Sequence, residues 1–230
     1  NPFITSDFAQ NKFHSLASLL NEEGYNTSFF HGGQRGTMGF YSFSRKAGFQ
    51  KYHGMEEYNN NTDFDGTWGI FDGPFMQYFA NTLNTKKEPF FSAFFSVSSH
   101  PPYVLPKDYK QEYDKINILE TIKYSDYAMR NFFKQIKYKD WFKNTIFIIT
   151  ADHTSGVRYN EKYKNTIGRY AIPLIIFKGD SSLVGENNTI VQQIDIMPTV
   201  LEKIGYSKPY LAFGKSMFSR DSWAVSKLYN

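Results

Sequence analysis

The sequence predicts an α/β fold with a mostly parallel central sheet flanked by helices. Strand-like and helix-like patterns alternate along the chain, as they do when crossover helices join parallel strands. The run at residues 145–150 is β-branched and aromatic without a charge, which is typical of a strand buried on both faces of a parallel sheet. Since there is no linker, repeat or low-complexity tract, residues 1–230 are expected to form a single domain piece.

The first 66 residues contain two predicted helices, a strand and a polar loop. Apolar residues recur at helical spacing before Gly24, which suits a helix end. A strand at residues 25–30 ends at His31, and residues 40–48 indicate another short helix. Residues 54–66 are polar and are predicted to form a loop.

The rest of the chain continues the alternation. A helix starting near Asp72 precedes a strand at residues 90–97, and a long helix is predicted over much of residues 114–136. A strand at residues 172–177 follows the one at 145–150. Asp195 and Pro198 suit the start of a last helix that finishes near Gly205.

Three of the predicted strands lead to polar residues suited to chemistry. These residues are His31, His100 and the adjacent pair Asp152 and His153. Because the carboxyl ends of parallel strands meet at one edge of a sheet, their side chains are expected to line one crevice. The remaining histidines, His14 and His53, fall outside this pattern and are assigned to the surface or to packing.

Asp152 and His153 are the candidate metal ligands, since a carboxylate oxygen and an imidazole nitrogen suit Zn²⁺ or Mn²⁺. Neighbouring side chains of a strand point to opposite faces, so the pair can share a metal only where the backbone leaves strand geometry, as residues 154–156 allow. Alternatively, Asp152 caps a turn and His153 is a polar loop residue. Such a site needs about four ligands, so the others are expected to precede Asn1.

Composition narrows the function classes. The net charge of +4 suits an anionic substrate or a membrane surface, but the scattered lysines form no basic run and argue against nucleic acid. The absence of cysteine excludes disulfides and thiolate metal sites. No apolar segment reaches the ~18 residues of a membrane span, so this piece is expected to be soluble. We attribute the 23 Phe and 17 Tyr to an aromatic core rather than to a glycan or lipid surface.

Six segments together resemble one family, and they span nearly the whole chain. They are GYNTSFFHGG (24–33), FFSAFFSVSSHPPY (90–103), FIITADHTSG (147–156), RYAIPLIIF (169–177), QQIDIMPTVLEKIGY (192–206) and FGKSMF (213–218). In this order they resemble the lipoteichoic acid synthase-like branch of the alkaline phosphatase/sulfatase superfamily, the phosphoglycerol transferases. The resemblance begins in mid-domain, which implies the C-terminal part of a catalytic domain whose N-terminal part is missing.

The resemblance also implies roles for the candidate residues. Asp152 and His153 match metal ligands, with Mn²⁺ as the preferred metal and Zn²⁺, Mg²⁺ or Ca²⁺ as alternatives. A Glu and a nucleophilic Thr outside this chain would complete the site, and a covalent phospho-Thr would form. His31 and His100 match histidines that contact the substrate phosphate or its headgroup. His100 suits acid-base catalysis near neutral pH.

Headgroup recognition departs from the family pattern. Where those enzymes carry an Asp, a Trp and an Arg after the HG pair, this chain has Gly33, Met38 and Phe40 at or near those positions. Other polar and aromatic side chains are therefore candidates for binding the substrate, with packing or surface polarity as the alternative. These candidates are Arg35, Trp68, Asp72 and Arg169.

The leading hypothesis is a membrane-anchored, extracytoplasmic enzyme of the cell envelope. It would transfer a phosphoglycerol-like unit from a phospholipid headgroup to a glycan or lipid acceptor, while the present chain by itself is expected to be inactive. The first alternative is a hydrolase of the same superfamily, either a sulfatase or a phosphodiesterase, acting on a phosphate or sulfate ester. The second is a catalytically silent module that binds a headgroup or a glycan.

Overall fold

The computed structural model describes residues 6–112, 115–157 and 160–218. The chain divides into two compact units, one of Asn1–Lys134 with Asn188–Asn230 and one of Gln135–Asn187. Each unit has its own sheet. That residues 1–230 belong to a single catalytic domain stays a prediction.

The first unit is built on a three-stranded parallel sheet. β1 (Asn26–His31) is the central strand, with β2 (Lys51–His53) on one side and β3 (Phe90–Phe95) on the other. His31, the last residue of β1, is in register with Phe95, the last residue of β3. The two strands therefore end at the same edge of the sheet, as predicted.

Helices cover both faces of this sheet. On one face, α1 (Leu16–Glu22) and α2 (Phe40–Lys46) contribute to an apolar cluster with Phe29 of β1. On the other face lie α4 (Asp72–Leu83) and α5 (Ile118–Ile136), which follow the short α3 (Met55–Tyr58). Alternation along a strand explains the arrangement, because consecutive side chains of β1 point to opposite faces.

Aromatic rings fill the space between the sheet and α4. The Phe79 ring lies 4.6 Å from that of Phe30, 5.2 Å from that of Phe94 and 5.2 Å from that of Phe132. His53 stacks on Phe30 with 4.2 Å between ring centroids, which confirms its packing role. Offset and tilted aromatic pairs at these spacings are favourable beyond their area of burial. A Phe-rich core thus accounts for much of the aromatic content.

The observed helix ends agree with residue types that favour helix ends in the nearby sequence. Ser15 caps α1, since its hydroxyl accepts the Ser18 N–H at 3.1 Å, and Gly24 follows the helix with φ +80°. The predicted helix over residues 40–48 corresponds to α2. α4 begins at Asp72, as expected.

One local prediction was wrong, and one strand was not predicted. The loop expected at residues 54–66 contains α3 and a 3₁₀ turn, Asn61–Asp63. β2 was not predicted, because three residues are too few to show a strand periodicity.

The long helix predicted over much of residues 114–136 corresponds to α5, which starts at Ile118. Asp114 lies outside the described residues.

The second unit contains β4 (Ile146–Thr150) and β5 (Leu174–Lys178). Both strands were predicted, but the expected burial of β4 within a parallel sheet is wrong. β4 pairs antiparallel with β5, and its side chains are half-buried or exposed. Parallel pairing usually needs a crossover helix, whereas the described part of this connection has only two 3₁₀ turns.

The last helix, α6 (Ile196–Lys203), belongs to the first unit and holds the segment after it. The Asp195 carboxylate accepts the Lys215 N–H at 2.9 Å, and the Thr199 hydroxyl accepts the Met217 N–H at 2.9 Å. Gly205 ends this region of helix with φ +73°. Over the described ranges, none of the helices combines the length and apolar character that a membrane span requires.

Candidate active site

His31 is buried at the carboxyl end of β1. The residue is 3% exposed, and its ring lies between Phe40 at 4.3 Å and Phe95 at 5.5 Å. Its Nδ1 lies 3.4 Å from the Phe95 carbonyl oxygen, which can only accept a hydrogen bond. Burial lowers the pKa of His31, although this contact with Phe95 raises it. Burial among aromatic rings therefore favours the neutral form of His31.

The second ring nitrogen of His31 faces the glycine turn that follows it. Nε2 is buried and has no hydrogen-bond partner among the described residues. A Cβ on Gly33 would lie 2.8 Å from this nitrogen, so the turn packs directly against it. Contact between His31 and a substrate would require the turn to move, and its expected role in substrate binding stays a prediction.

A second loop joins this turn to the region of His100. The Ile70 N–H donates to the Gly32 carbonyl at 2.9 Å, and a Cβ on Gly69 would lie 2.5 Å from the Gly32 carbonyl carbon. A backbone approach this close admits only glycine. The loop thereby carries Trp68, one residue earlier, towards the segment that follows β3.

His100 is exposed and held by Trp68. The two rings lie 4.2 Å apart with 61° between their planes, and the Trp68 Nε1–H donates to the Pro101 carbonyl at 2.6 Å. The His100 Nδ1 also lies 3.0 Å from the Pro101 carbonyl. Because a carbonyl can only accept, Nδ1 carries the hydrogen, and Nε2 of the neutral ring keeps its lone pair. His100 can therefore exchange a proton through Nε2.

Asp72 is not positioned to bind a headgroup, because it is 1% exposed. Its carboxylate accepts hydrogen bonds from the Val97 N–H at 2.9 Å and the Ser98 N–H at 3.1 Å. Burial raises the pKa of the Asp72 carboxyl, while these two N–H groups lower it. The packing alternative is thus correct for Asp72, which joins the start of α4 to the end of β3.

Arg35 forms an ion pair with Glu57, the third residue of α3. Its side chain is 51% exposed, and its guanidinium lies 5.6 Å from the centroid of the Tyr41 ring. Desolvation raises the pKa of Glu57, but hydrogen bonds from the Gly54 N–H and Arg35 outweigh it and bring the pKa below the usual value. A phosphate that binds Arg35 would have to compete with this carboxylate.

Asp152 and His153 lie just after β4 in the second unit. Asp152 Oδ2 and His153 Nε2 are 3.5 Å apart, and the two side chains are 55% and 75% exposed. The His153 Nδ1 lies 2.8 Å from the Thr154 carbonyl, so Nδ1 carries the hydrogen and Nε2 of the neutral ring keeps its lone pair. The backbone does leave strand geometry here, as predicted.

This geometry fits a shared metal ion. Two ligand atoms bound to one Zn²⁺ with tetrahedral geometry are about 3.3 Å apart, close to the distance between Asp152 Oδ2 and His153 Nε2. A histidine ligand commonly donates its other ring N–H to a backbone carbonyl, as His153 does to Thr154. Within the described ranges, no group of three or more acidic, histidine or cysteine side chains is arranged to hold a metal.

The backbone of Arg169 contacts the loop that carries Asp152 and His153. The Thr154 hydroxyl donates to the Arg169 carbonyl at 2.7 Å, while the Arg169 guanidinium lies over the Tyr170 ring at 5.3 Å. Arg169 thus helps to hold the loop after Asp152 and His153. Its expected contact with a headgroup stays a prediction.

The structure brings together some of the predicted residues. His31 ends β1 and His100 follows β3, two strands that end at the same edge of the sheet, and Trp68 lies against His100. Asp152 and His153 belong to the other unit, and their place in the same crevice stays a prediction. Sequence reasoning missed Glu57 as the partner of Arg35. The position of Glu57, three residues after Gly54, suits a helix start but does not indicate the pairing with Arg35.

The chain matches known proteins over most of its length. A family model described as Sulfatase matches residues 2–206. Lipoteichoic acid synthase 1 of Bacillus subtilis is 26% identical over 239 residues, which cover 95% of this chain and 37% of that protein. The chain therefore spans little more than a third of that relative.

Two solved structures share the fold. A protein of the alkaline phosphatase superfamily from Vibrio parahaemolyticus superposes with a TM-score of 0.78 and 30% identity, over 89% of this chain and 50% of that one. The lipoteichoic acid synthase LtaP from Listeria monocytogenes gives a TM-score of 0.76 at 22% identity, over 95% and 58% of the two chains. These likenesses confirm the predicted fold class.

Proposed function

Because this chain belongs to the Sulfatase family, we propose that it is part of a metal-dependent phosphotransferase. The intact enzyme moves a phosphoglycerol-like unit from a phospholipid headgroup to a glycan or lipid acceptor. The similarity to lipoteichoic acid synthase 1 supports this choice of reaction. By the same resemblance the intact protein is membrane-anchored and works on the extracytoplasmic face of the cell membrane.

The observation that carries the proposal is the pairing of Asp152 with His153. Their 3.5 Å separation and the lone pair on His153 Nε2 suit two ligands of one divalent metal, with Mn²⁺ preferred and Zn²⁺, Mg²⁺ or Ca²⁺ as alternatives. When bound, the metal would act as a Lewis acid towards the phosphoryl group and the nucleophile. The nucleophile is a Thr outside this chain, which forms a covalent phospho-Thr.

His100 serves as the acid-base residue of the proposed reaction. Its ring is exposed, and Nε2 carries the lone pair because Nδ1 faces the Pro101 carbonyl. In this state Nε2 can accept a proton from the acceptor hydroxyl, and the protonated ring can return it to a leaving oxygen. Trp68 holds the ring in place from one side. Arg35 contributes positive charge for the headgroup once Glu57 releases it.

The test compares three substrates with the intact protein supplied with Mn²⁺. These are a phospholipid with a labelled glycerophosphate headgroup plus a glycolipid acceptor, a phosphodiester and an aryl sulfate. We expect label in the acceptor, and loss of that transfer in Asp152→Asn and His153→Gln. Asp126→Asn is the matched control, because Asp126 is an exposed carboxylate paired with Arg130.

The other outcomes would overturn the proposal in distinct ways. Release of the label into water without acceptor product would indicate a phosphodiesterase, and preference for the aryl sulfate would indicate a sulfatase. Binding of the headgroup with no turnover of any substrate would indicate a silent binding module. Full transfer by the Asp152 and His153 variants would exclude them as metal ligands.

A further inference from the structure

Asp72 is buried more deeply than a residue at the start of a helix needs to be. An acidic residue in the first turn of a helix is favourable at the surface, where it interacts with the helix dipole. Asp72 is instead 1% exposed at the start of α4. A carboxylate is rarely buried so completely unless its oxygens are fully engaged. The surroundings of Asp72 therefore point to a specific task.

Each Asp72 oxygen receives hydrogen bonds from the segment that follows β3 or from α5. Oδ1 accepts the Val97 N–H at 2.9 Å, and Oδ2 accepts the Ser98 N–H at 3.1 Å and the Ser125 hydroxyl at 3.2 Å. In return, the Asp72 N–H donates to the Ser98 hydroxyl at 2.9 Å. The carboxylate therefore joins three parts of the chain: the start of α4, the segment after β3 and the middle of α5.

The segment held by Asp72 leads directly to His100. The His100 N–H donates to the Val97 carbonyl at 3.2 Å, so two hydrogen bonds through Val97 connect His100 to the Asp72 carboxylate. Between them, the Ser99 hydroxyl lies 2.9 Å from that of Ser125, which also contacts Asp72. A shift of the carboxylate would therefore move the backbone that carries His100.

We propose that Asp72 is a positioning residue for His100. Its buried hydrogen bonds to Val97, Ser98 and Ser125 fix the turn that presents the imidazole. The inference that Asp72 sets the geometry of His100 stands on these contacts. Its consequence for catalysis rests on the proposed function, in which His100 transfers the proton. A misplacement of about 1 Å at a catalytic group can cost roughly 100-fold in rate.

The first experiment reads the environment of His100 without any activity assay. Ring signals of ¹³C-labelled histidines are recorded for the chain and its Asp72→Asn variant, and His100→Gln assigns the His100 signal. Asn keeps the size of the side chain but places an N–H₂ group where at least one donor now points. We expect the His100 signal to shift, because its stacking on Trp68 changes, and Asp126→Asn to leave it in place.

A second variant covers the case in which Asp72→Asn does not fold. Ser125→Ala removes one hydrogen bond to Asp72 and the contact with Ser99, while the backbone contacts of Asp72 remain. We expect a smaller shift of the His100 signal. An unchanged His100 signal in whichever of the two variants folds would overturn the proposal.

The second experiment is a double-mutant cycle in the intact enzyme. We expect Asp72→Asn to lower kcat by about 10- to 100-fold with KM and bound metal unchanged. In the His100→Ala background the same substitution should have little further effect, because the group that it positions is gone. Equal losses in both backgrounds would show that Asp72 only stabilises the fold, and would overturn the proposal.

The two experiments distinguish an error in the proposed role of His100 from an error in the proposed positioning role of Asp72. If His100→Ala leaves turnover unchanged, the proposed role of His100 is wrong, yet a shifted His100 signal in Asp72→Asn still supports positioning by Asp72. If His100→Ala abolishes turnover and the signal does not shift, the positioning role is wrong and the proposed function stands.

Discussion

The Trp68 ring lies 4.2 Å from the His100 ring, with 61° between the planes, and both side chains are directed at the same carbonyl. The indole N–H and the His100 Nδ1 both contact the Pro101 oxygen, at 2.6 Å and 3.0 Å. This shared acceptor favours one tautomer of His100 and one ring orientation. An exposed histidine is thus held much as a buried one would be.

That arrangement leads to a prediction for His100 in the intact enzyme. His100→Ala should lower turnover by roughly 10²- to 10⁴-fold, the range of a positioned acid-base group. Metal content, measured by elemental analysis, should not change, because His100 does not belong to the Asp152 and His153 pair. His14→Ala is the matched control, since His14 lies outside the candidate site. Loss of bound metal in His100→Ala would contradict the assigned role.

A second prediction concerns the competition for Arg35. In the intact enzyme, Glu57→Gln removes the carboxylate that pairs with Arg35 and should free the guanidinium for an anionic headgroup. Steady-state kinetics should then show a lower KM for the phospholipid donor, while Arg35→Ala should raise it. If neither substitution changes KM, Arg35 does not bind the substrate. The exposed pair Arg130 and Asp126 supplies the control, since Arg130→Ala should have no effect.

A third prediction concerns metal binding by the present chain. Calorimetry should detect weak binding of Mn²⁺ or Zn²⁺, since two ligands are available here and such a site needs about four. Asp152→Ala and His153→Ala should each abolish the signal without changing the far-ultraviolet circular dichroism, because both side chains are exposed. Tight binding that survives both substitutions would locate the metal elsewhere.

A fourth prediction concerns stability at acidic pH. Desolvation, reinforced by the charge on Lys86, lowers the pKa of His53 to about 4. The unfolded chain therefore binds a proton at His53 between about pH 6.5 and 4 that the folded chain does not. The free energy of unfolding should consequently fall as pH falls through this window. His31, whose pKa burial also lowers, acts in the same direction.

Urea titrations between about pH 7 and pH 4.5 would measure this dependence. His53→Phe keeps the stacking on Phe30 but cannot titrate, so its stability should depend less on pH than that of the parent chain. Tyr78→Phe removes the hydroxyl that contacts the His53 Nδ1 and retains the imidazole. This control should keep the pH dependence. Equal slopes for the parent chain and His53→Phe would rule out His53 as the source.

Local sequence patterns predicted most of the secondary structure. α1, α4 and α6 were predicted from apolar spacing and from residues suited to helix ends, such as Gly24. The Asp195 side chain does not cap α6 and accepts the Gln192 and Lys215 N–H groups instead. β1 and β3 were recognised from apolar or aromatic runs that lead to polar residues. In contrast, β2 is only three residues long, and its pairing with β1 arises from contacts distant in sequence.

The candidate site was predicted in part. Asp152 and His153 were recognised because they are adjacent and follow a strand, and their geometry is local to that loop. The partner of Arg35 and the burial of Asp72 depend on segments more than 20 residues away. No pattern in the neighbouring sequence records such contacts, since packing decides which polar groups meet.

For His31 and His100, the sequence predicted the position in the fold, and the tertiary structure determined the exposure. The sequence by itself determined the family, through its ordered motifs, and it placed both histidines after strands whose carboxyl ends share one edge. Only the tertiary structure buried His31 beneath Phe40 and the Gly33 turn and left His100 exposed beside Trp68. The position of a residue along a parallel strand sets which edge of the sheet it reaches, and alternation sets the face to which its side chain points. Exposure depends on which other segments pack over it.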